Sequence, residues 1–188
     1  EPLYAESCMT AMMKSVVTGG AGALRVAGVR DVKIAKKLFT LPVIGLTKPN
    51  VIPKTYKEIV YITPTVKDVI DLVQAGADII GTDATQRPRP NGEKLADLFK
   101  YIHINNRIAM ADISTLEEGI KAKEAGADIL STTLAGYTLE SVNSPSKEPD
   151  FELLKQLVET TKMPVVLEGR IWEPEQVNKA FGLGAHCV

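Results

Sequence analysis

The sequence predicts an α/β fold, a (β/α)8 barrel, and three observations carry that reading. A phrase recurs at near-equal spacing, helix-period runs alternate with short apolar runs, and the long connections gather on one side of the strands. Gln-Ala-Gly-Ala-Asp-Ile-Ile-Gly-Thr-Asp fills residues 74–83, and Glu-Ala-Gly-Ala-Asp-Ile-Leu-Ser-Thr-Thr fills 124–133. Weaker echoes begin at Gly20 and Gly184, so equivalent glycines stand 56, 50 and 58 residues apart. In each repeat the glycine is expected to close a helix with positive φ just before a strand begins. The content of a repeat, two helical runs and two short apolar runs, makes it a pair of α/β units.

The first helical face is Met9, Met12, Met13, Val16 and Val17. Later faces are Val66, Val69, Ile70 and Val73; Leu95, Leu98, Phe99 and Ile102; and Leu153, Leu154, Leu157 and Val158. Thr65 with Asp68 and Ser114 with Glu117 have capping-box spacing, and Pro174 suits a first helical position. Buried parallel strands are expected at 24–26, 42–48, 78–83, 108–113, 128–133, 164–170 and 185–188. Helix then strand thus repeats seven times, in one domain spanning 1–188. An open doubly wound sheet fits the alternation too; the near-equal repeat favours the barrel. A barrel of eight units implies a chain incomplete at both ends, without its first strand and last helix.

Connections into strands are short, whereas 49–64, 84–93 and 134–149 all leave strands. That geometry puts the working face at the carboxyl ends of the strands, with 134–149 expected as a mobile lid. Composition narrows the function. A net charge of −1 and 5% aromatic residues argue against nucleic acid, and no apolar run is long enough to span a membrane. Cys8 and Cys187 make no disulfide framework, and the first residues do not read as a signal peptide, so a cytoplasmic protein is expected. His103 and His186 lie far apart, and no zinc, dinucleotide or nucleotide-phosphate motif is present; neither metal nor cofactor is expected.

The strand ends carry Arg25, Lys48, Asp83, Asp112, Thr132, Thr133, Glu168, Gly169 and Arg170. Charges at the mouth of a core are costly unless paired or used. A solvated ring of ion pairs is the bland account of them. Lys48, closing an apolar run, suits a proton-transfer base, a Schiff-base nucleophile or a phosphate ligand. As a base at pH 7 it must give up about 4.6 kcal/mol of protonation, which burial or a neighbouring cation such as Arg25 must supply. Gly169 and Arg170, after the seventh expected strand, are phosphate candidates. Asp112 and Asp83 suit sugar hydroxyls, with Asp83 the weaker because Arg87 and Arg89 offer it an ion pair.

Five segments together carry a family resemblance: Ile44-Gly45-Leu46-Thr47-Lys48, Tyr61-Ile62-Thr63-Pro64-Thr65, Met110 to Thr115, Ser131 to Thr138, and Leu167-Glu168-Gly169-Arg170. In order and over nearly the whole chain, they resemble the bacterial N-acetylmannosamine-6-phosphate 2-epimerase family. The resemblance implies a (β/α)8 barrel that interconverts N-acetylmannosamine 6-phosphate and N-acetylglucosamine 6-phosphate in sialic-acid breakdown. It also implies that Lys48 and Glu168 are catalytic, that Arg25 and Asp112 contact substrate, and that the protein is a homodimer. Pro49 and Asn50 depart from the family's pattern of a basic residue and an aspartate after the lysine. Two other readings fit the residues: a Schiff-base aldolase built on Lys48, and a sugar-phosphate binder without catalysis.

Overall fold

The computed structural model describes residues 3–145 and 147–188. Helices and strands alternate: α1 (Glu6–Thr18), β1 (Leu24–Ala27), α2 (Val29–Leu38), β2 (Val43–Leu46), α3 (Val66–Gln74), β3 (Ile79–Asp83), α4 (Leu95–Ile104), β4 (Ile108–Asp112), α5 (Leu116–Ala125), β5 (Ile129–Ser131), α6 (Phe151–Thr161), β6 (Val165–Val166) and α7 (Pro174–Gly182). All strands are parallel, and the sheet runs β1-β2-β3-β4-β5-β6, each strand beside its predecessor in the chain. A doubly wound sheet reverses its strand order at a switch point. This one never does, which excludes the open doubly wound alternative and leaves a curled, singly wound sheet of the barrel type.

The period-2 alternation of the strands divides the molecule into two apolar layers. Val26, Val43, Ile80, Ala109, Ala111, Leu130 and Val165 are buried with Val32, Leu72, Phe99, Ile102, Leu154 and Leu157 of the helices in one core. Arg25, Ile44, Ile79, Met110, Ile129 and Val166 line a cleft of about 860 Å³ on the other face. The glycines Gly20, Gly76, Gly126 and Gly184 have φ between 93° and 104°, as the repeat predicts. Thr65 and Asp68 form the expected capping box at α3, and Pro174 opens α7. No helix among the described residues is long and apolar enough to cross a membrane.

Four expectations need correction. The second capping box is Thr115 with Glu118, one residue later than Ser114 with Glu117, because Glu118 is the carboxylate that turns back to the helix start. On α1 only Met13 is buried, while Met12 and Val16 are exposed. The run 164–170 pairs only through Val165 and Val166, since Gly169 and Arg170 take φ of 101° and 60° and leave the extended region. The run 185–188 contributes one bridge, Cys187 to Val166, rather than a seventh strand.

Loop structure held one surprise. The segment 60–63 inserts between the carboxyl ends of β2 and β3: Thr63 N–H donates to Thr47 O at 3.0 Å, and Asp83 N–H donates to Ile62 O at 3.1 Å. Thr47 N–H in turn donates to Thr63 Oγ1 at 3.0 Å, which ends β2 at Leu46 rather than Lys48. Val60 and Ile62 are buried, and Leu46, Ile62 and Leu134 form a small second core. The first half of loop 134–149, residues 134–141, is likewise tied down, contrary to the expected lid. Leu134, Ala135, Thr138 and Ser141 are buried, and hydroxyls link Ser114 to Thr138 at 2.9 Å and Thr138 to Ser141 at 2.8 Å. Glu118 anchors that chain by accepting from Ser114 Oγ at 2.7 Å.

Candidate active site

The carboxyl ends of β1, β4, β5 and β6 converge on one polar cluster. Arg25, inward-facing on β1, extends across the sheet because β3 carries Gly81 beneath it. A Cβ at Gly81 would stand 3.1 Å from Arg25 Nη1. The guanidinium then donates from Nη2 to Asp112 Oδ2 at 2.7 Å, and its Nε lies 3.4 Å from Glu168 Oε2. Asp112 is fully buried, Arg25 is partly buried with 19% of its side chain exposed, and Glu168 keeps 35% of its side chain open to the cleft. Burial pushes the Asp112 carboxyl up; Arg25 opposes that, and the Glu168 charge adds to it. Arg25 is raised by the two carboxylates against the cost of its own burial.

Thr133 sits between the carboxyls, its Oγ1 at 2.9 Å from Asp112 Oδ1 and at 2.9 Å from Glu168 Oε2. Thr132 fixes the Glu168 backbone, accepting from its N–H at 3.0 Å. Lys48 and Glu168 line the large cleft together, and both also line a smaller one of about 400 Å³ at the strand ends with Tyr56, Tyr61, Thr133 and Gly169. Lys48 is exposed there, so the protein itself does not supply the burial asked of a base.

The six candidates therefore fall into two sets. Arg25, Lys48, Asp112, Glu168 and Gly169 are brought to one region of the cleft. Arg170 is turned onto the β5–α6 loop: it donates to Ala135 O at 2.6 Å and packs over the Tyr137 ring at 5.2 Å. Asp83 is buried in an ion pair with Arg87, and Thr85 donates to it from Oγ1 at 2.7 Å. Burial pushes its pKa up to about 6 against the pull of Arg87. His103 pairs with Asp128 at 2.9 Å on the surface.

Tyr61, Tyr137 and the linking role of Thr133 were not singled out from sequence. Each owes its place to loop geometry, and only their nearness to Thr63-Pro64-Thr65, Gly136 and Thr132 hinted at a strand end. Burial pushes the Tyr61 phenol up.

Comparison with known proteins places the chain in a family. The sequence profile of the family described as "Putative N-acetylmannosamine-6-phosphate epimerase" matches residues 9–188. A relative from Clostridium perfringens bearing the 2-epimerase name is 48% identical over 188 residues, covering all of this chain and 82% of that protein. One from Clostridioides difficile is 44% identical over 187 residues, covering 99% and 81%. The solved structure of the N-acetylmannosamine-6-phosphate 2-epimerase from Clostridium perfringens superimposes with a TM-score of 0.92 at 47% identity, over all of this chain and 79% of that one. By sequence over nearly its whole length and by fold, the chain belongs to the N-acetylmannosamine-6-phosphate epimerase family.

Proposed function

We propose that this protein interconverts N-acetylmannosamine 6-phosphate and N-acetylglucosamine 6-phosphate by moving the proton on C2, on a (β/α)8 barrel of which the chain supplies the larger part. The observation that carries the reading is that Lys48, after β2, and Glu168, after β6, open onto the same clefts beside the Arg25–Asp112 pair. In the open-chain sugar, C2 is α to the C1 aldehyde, so its proton can be removed to leave an enolate. Inversion needs a base to take that proton from one face and a proton delivered to the other. Lys48, as the neutral amine, takes the proton, and Glu168 in the same clefts serves as the acid or as the orienting partner of the return step. The bound sugar phosphate covers Lys48 and supplies the desolvation that the free protein lacks. Arg25 places a fixed cation near the developing enolate charge, and Asp112 holds Arg25 and contacts the sugar. Gly169 and Arg170 serve the phosphate, Arg170 by exchanging the Ala135 carbonyl for the anion.

The test is proton NMR of the protein with N-acetylmannosamine 6-phosphate in D2O. The expected outcome is growth of the gluco epimer with deuterium at C2. An unchanged C2 signal with no second epimer would refute the reading. The homodimer belongs to the same proposal and is read by light scattering after size exclusion.

A further inference from the structure

Three consecutive residues of the loop after β5 grip Arg170. Its Nη2 donates to Ala135 O at 2.6 Å, and its guanidinium lies over the Tyr137 ring at 5.2 Å. Between them Gly136 takes a φ of 83°, and a Cβ there would stand 2.5 Å from Arg170 Nη2, so the guanidinium uses the space a side chain would fill. A chain of hydroxyls holds this grip in place and runs from Gly136 to α5. Gly136 N–H donates to Ser141 Oγ at 2.9 Å, and Ser141 Oγ lies 2.8 Å from Thr138 Oγ1. Thr138 Oγ1 lies 2.9 Å from Ser114 Oγ, which lies 2.7 Å from Glu118 Oε2. Ser114, Glu118, Thr138 and Ser141 are all buried.

Hydrogen counting gives the chain one direction. Glu118 accepts at both oxygens: Ser114 N–H and Thr115 N–H donate to Oε2 at 2.8 and 3.1 Å, and Gln86 N–H donates to Oε1 at 3.3 Å. The single hydrogen of Ser114 Oγ therefore points at Glu118, so Thr138 donates to Ser114 and Ser141 donates to Thr138. The far end agrees, because Gly136 N–H can only donate. Each hydroxyl accepts one bond and donates the next, so a break at any link is felt along the chain. We infer that Glu118 is a positioning residue, acting through Ser114, Thr138 and Ser141 to hold residues 135–137 and, with them, Arg170 at the rim of the site. None of these four residues lines the clefts that Lys48 and Glu168 share. The inference rests on the epimerase reading for its consequence: an arginine already placed at the rim gives up less side-chain freedom when it takes up the sugar phosphate.

Glu118→Ala removes the anchor and the α5 cap together. Thr138→Val breaks the chain at its middle and spares the cap, so it decides the matter where E118A fails to fold. Thr138→Ser keeps the hydroxyl. The first readout needs no substrate: nitrogen-15 NMR relaxation of the Arg170 side-chain Nε–H, assigned by its loss in Arg170→Ala. In the wild type and T138S this group is expected to be as ordered as the backbone, and in T138V and E118A to move freely. The second readout is kinetic. T138V is expected to raise KM for N-acetylmannosamine 6-phosphate about tenfold with kcat within about threefold. In an R170A background the same change is expected to alter KM less than about twofold, because the arginine it places is gone. An Arg170 that stays ordered in T138V, or a KM that rises equally with and without Arg170, would overturn the inference. Loss of Arg170 order in T138V, in a protein whose wild type shows no epimerisation, supports the chain and refutes the epimerase reading alone.

Discussion

Lys48 and Asp83 both end apolar strands, and their surroundings assign them opposite work. Lys48 stands exposed at the junction of two clefts, and its replacement leaves little for the fold to lose. Lys48→Met is therefore expected to abolish turnover while substrate affinity, read by calorimetry, stays within about tenfold. Retained turnover would remove the lysine from the mechanism. Asp83 is buried against Arg87, yet its carboxyl favours the proton because burial outweighs that pairing, so Asp83→Asn, which removes the charge and keeps the shape, is expected to leave stability at pH 7 no lower. The pH dependence has a definite sign. The folded Asp83 keeps its proton up to about 6, whereas the unfolded chain releases it near about 3.9. Between those values the folded state binds more protons, so this group makes stability fall as pH rises through the window. Thermal melts across that range should show a shallower decline in D83N. From sequence each was a charge closing a hydrophobic run, and the nearby Arg87 and Arg89 already marked Asp83 for an ion pair. The structure makes that pair with Arg87, whose guanidinium folds back from the following loop and is buried with the carboxylate.

Among the elements, the repeat proves to encode more than a helix stop. Asp78 and Asp128 occupy the same place in the repeated phrase, and each clasps the start of the preceding strand. Asp78 accepts from Val43 N–H at 2.8 Å and from Lys36 at 2.8 Å. Asp128 accepts from Ala109 N–H at 2.7 Å and meets His103 at 2.9 Å. The Asp78 carboxyl is raised by partial burial, but the bonds from Lys36 and Val43 outweigh that and hold it below its usual range. Its contribution is present above the unfolded value of about 3.9 and is lost as pH falls through the folded value. Asp78→Asn is expected to lower stability by about 1 kcal/mol at pH 7 and to match the wild type in strong acid, as read by urea melts.

The helix faces after α1, the glycine stops and the first capping box were legible in the sequence because short-range periods and spacings specify them. The second box slipped by one residue because Ser114-Thr115 and Glu117-Glu118 offer two pairs at the same spacing. The inserted segment 60–63 and the pinned loop 134–141 were not legible, since the bonds that hold them come from Thr47, Asp83, Ser114 and Glu118, distant in the chain.

At the scale of the molecule, sheet order and site are one fact. Because every pair of neighbouring strands is parallel, all carboxyl ends point one way and deliver Arg25, Asp112, Thr133 and Glu168 to a common rim. The rim was readable from the sequence as a set of polar residues ending apolar runs; the hydroxyl that binds two of them together was not. The same ordering also bears on how the chain comes into being. During synthesis each strand after β1 finds one neighbour already made, since the strand before it in the sheet is also the strand before it in the chain. Growth by apposition, one unit onto the last, lets the ribosome lay down the sheet in the order in which it stands.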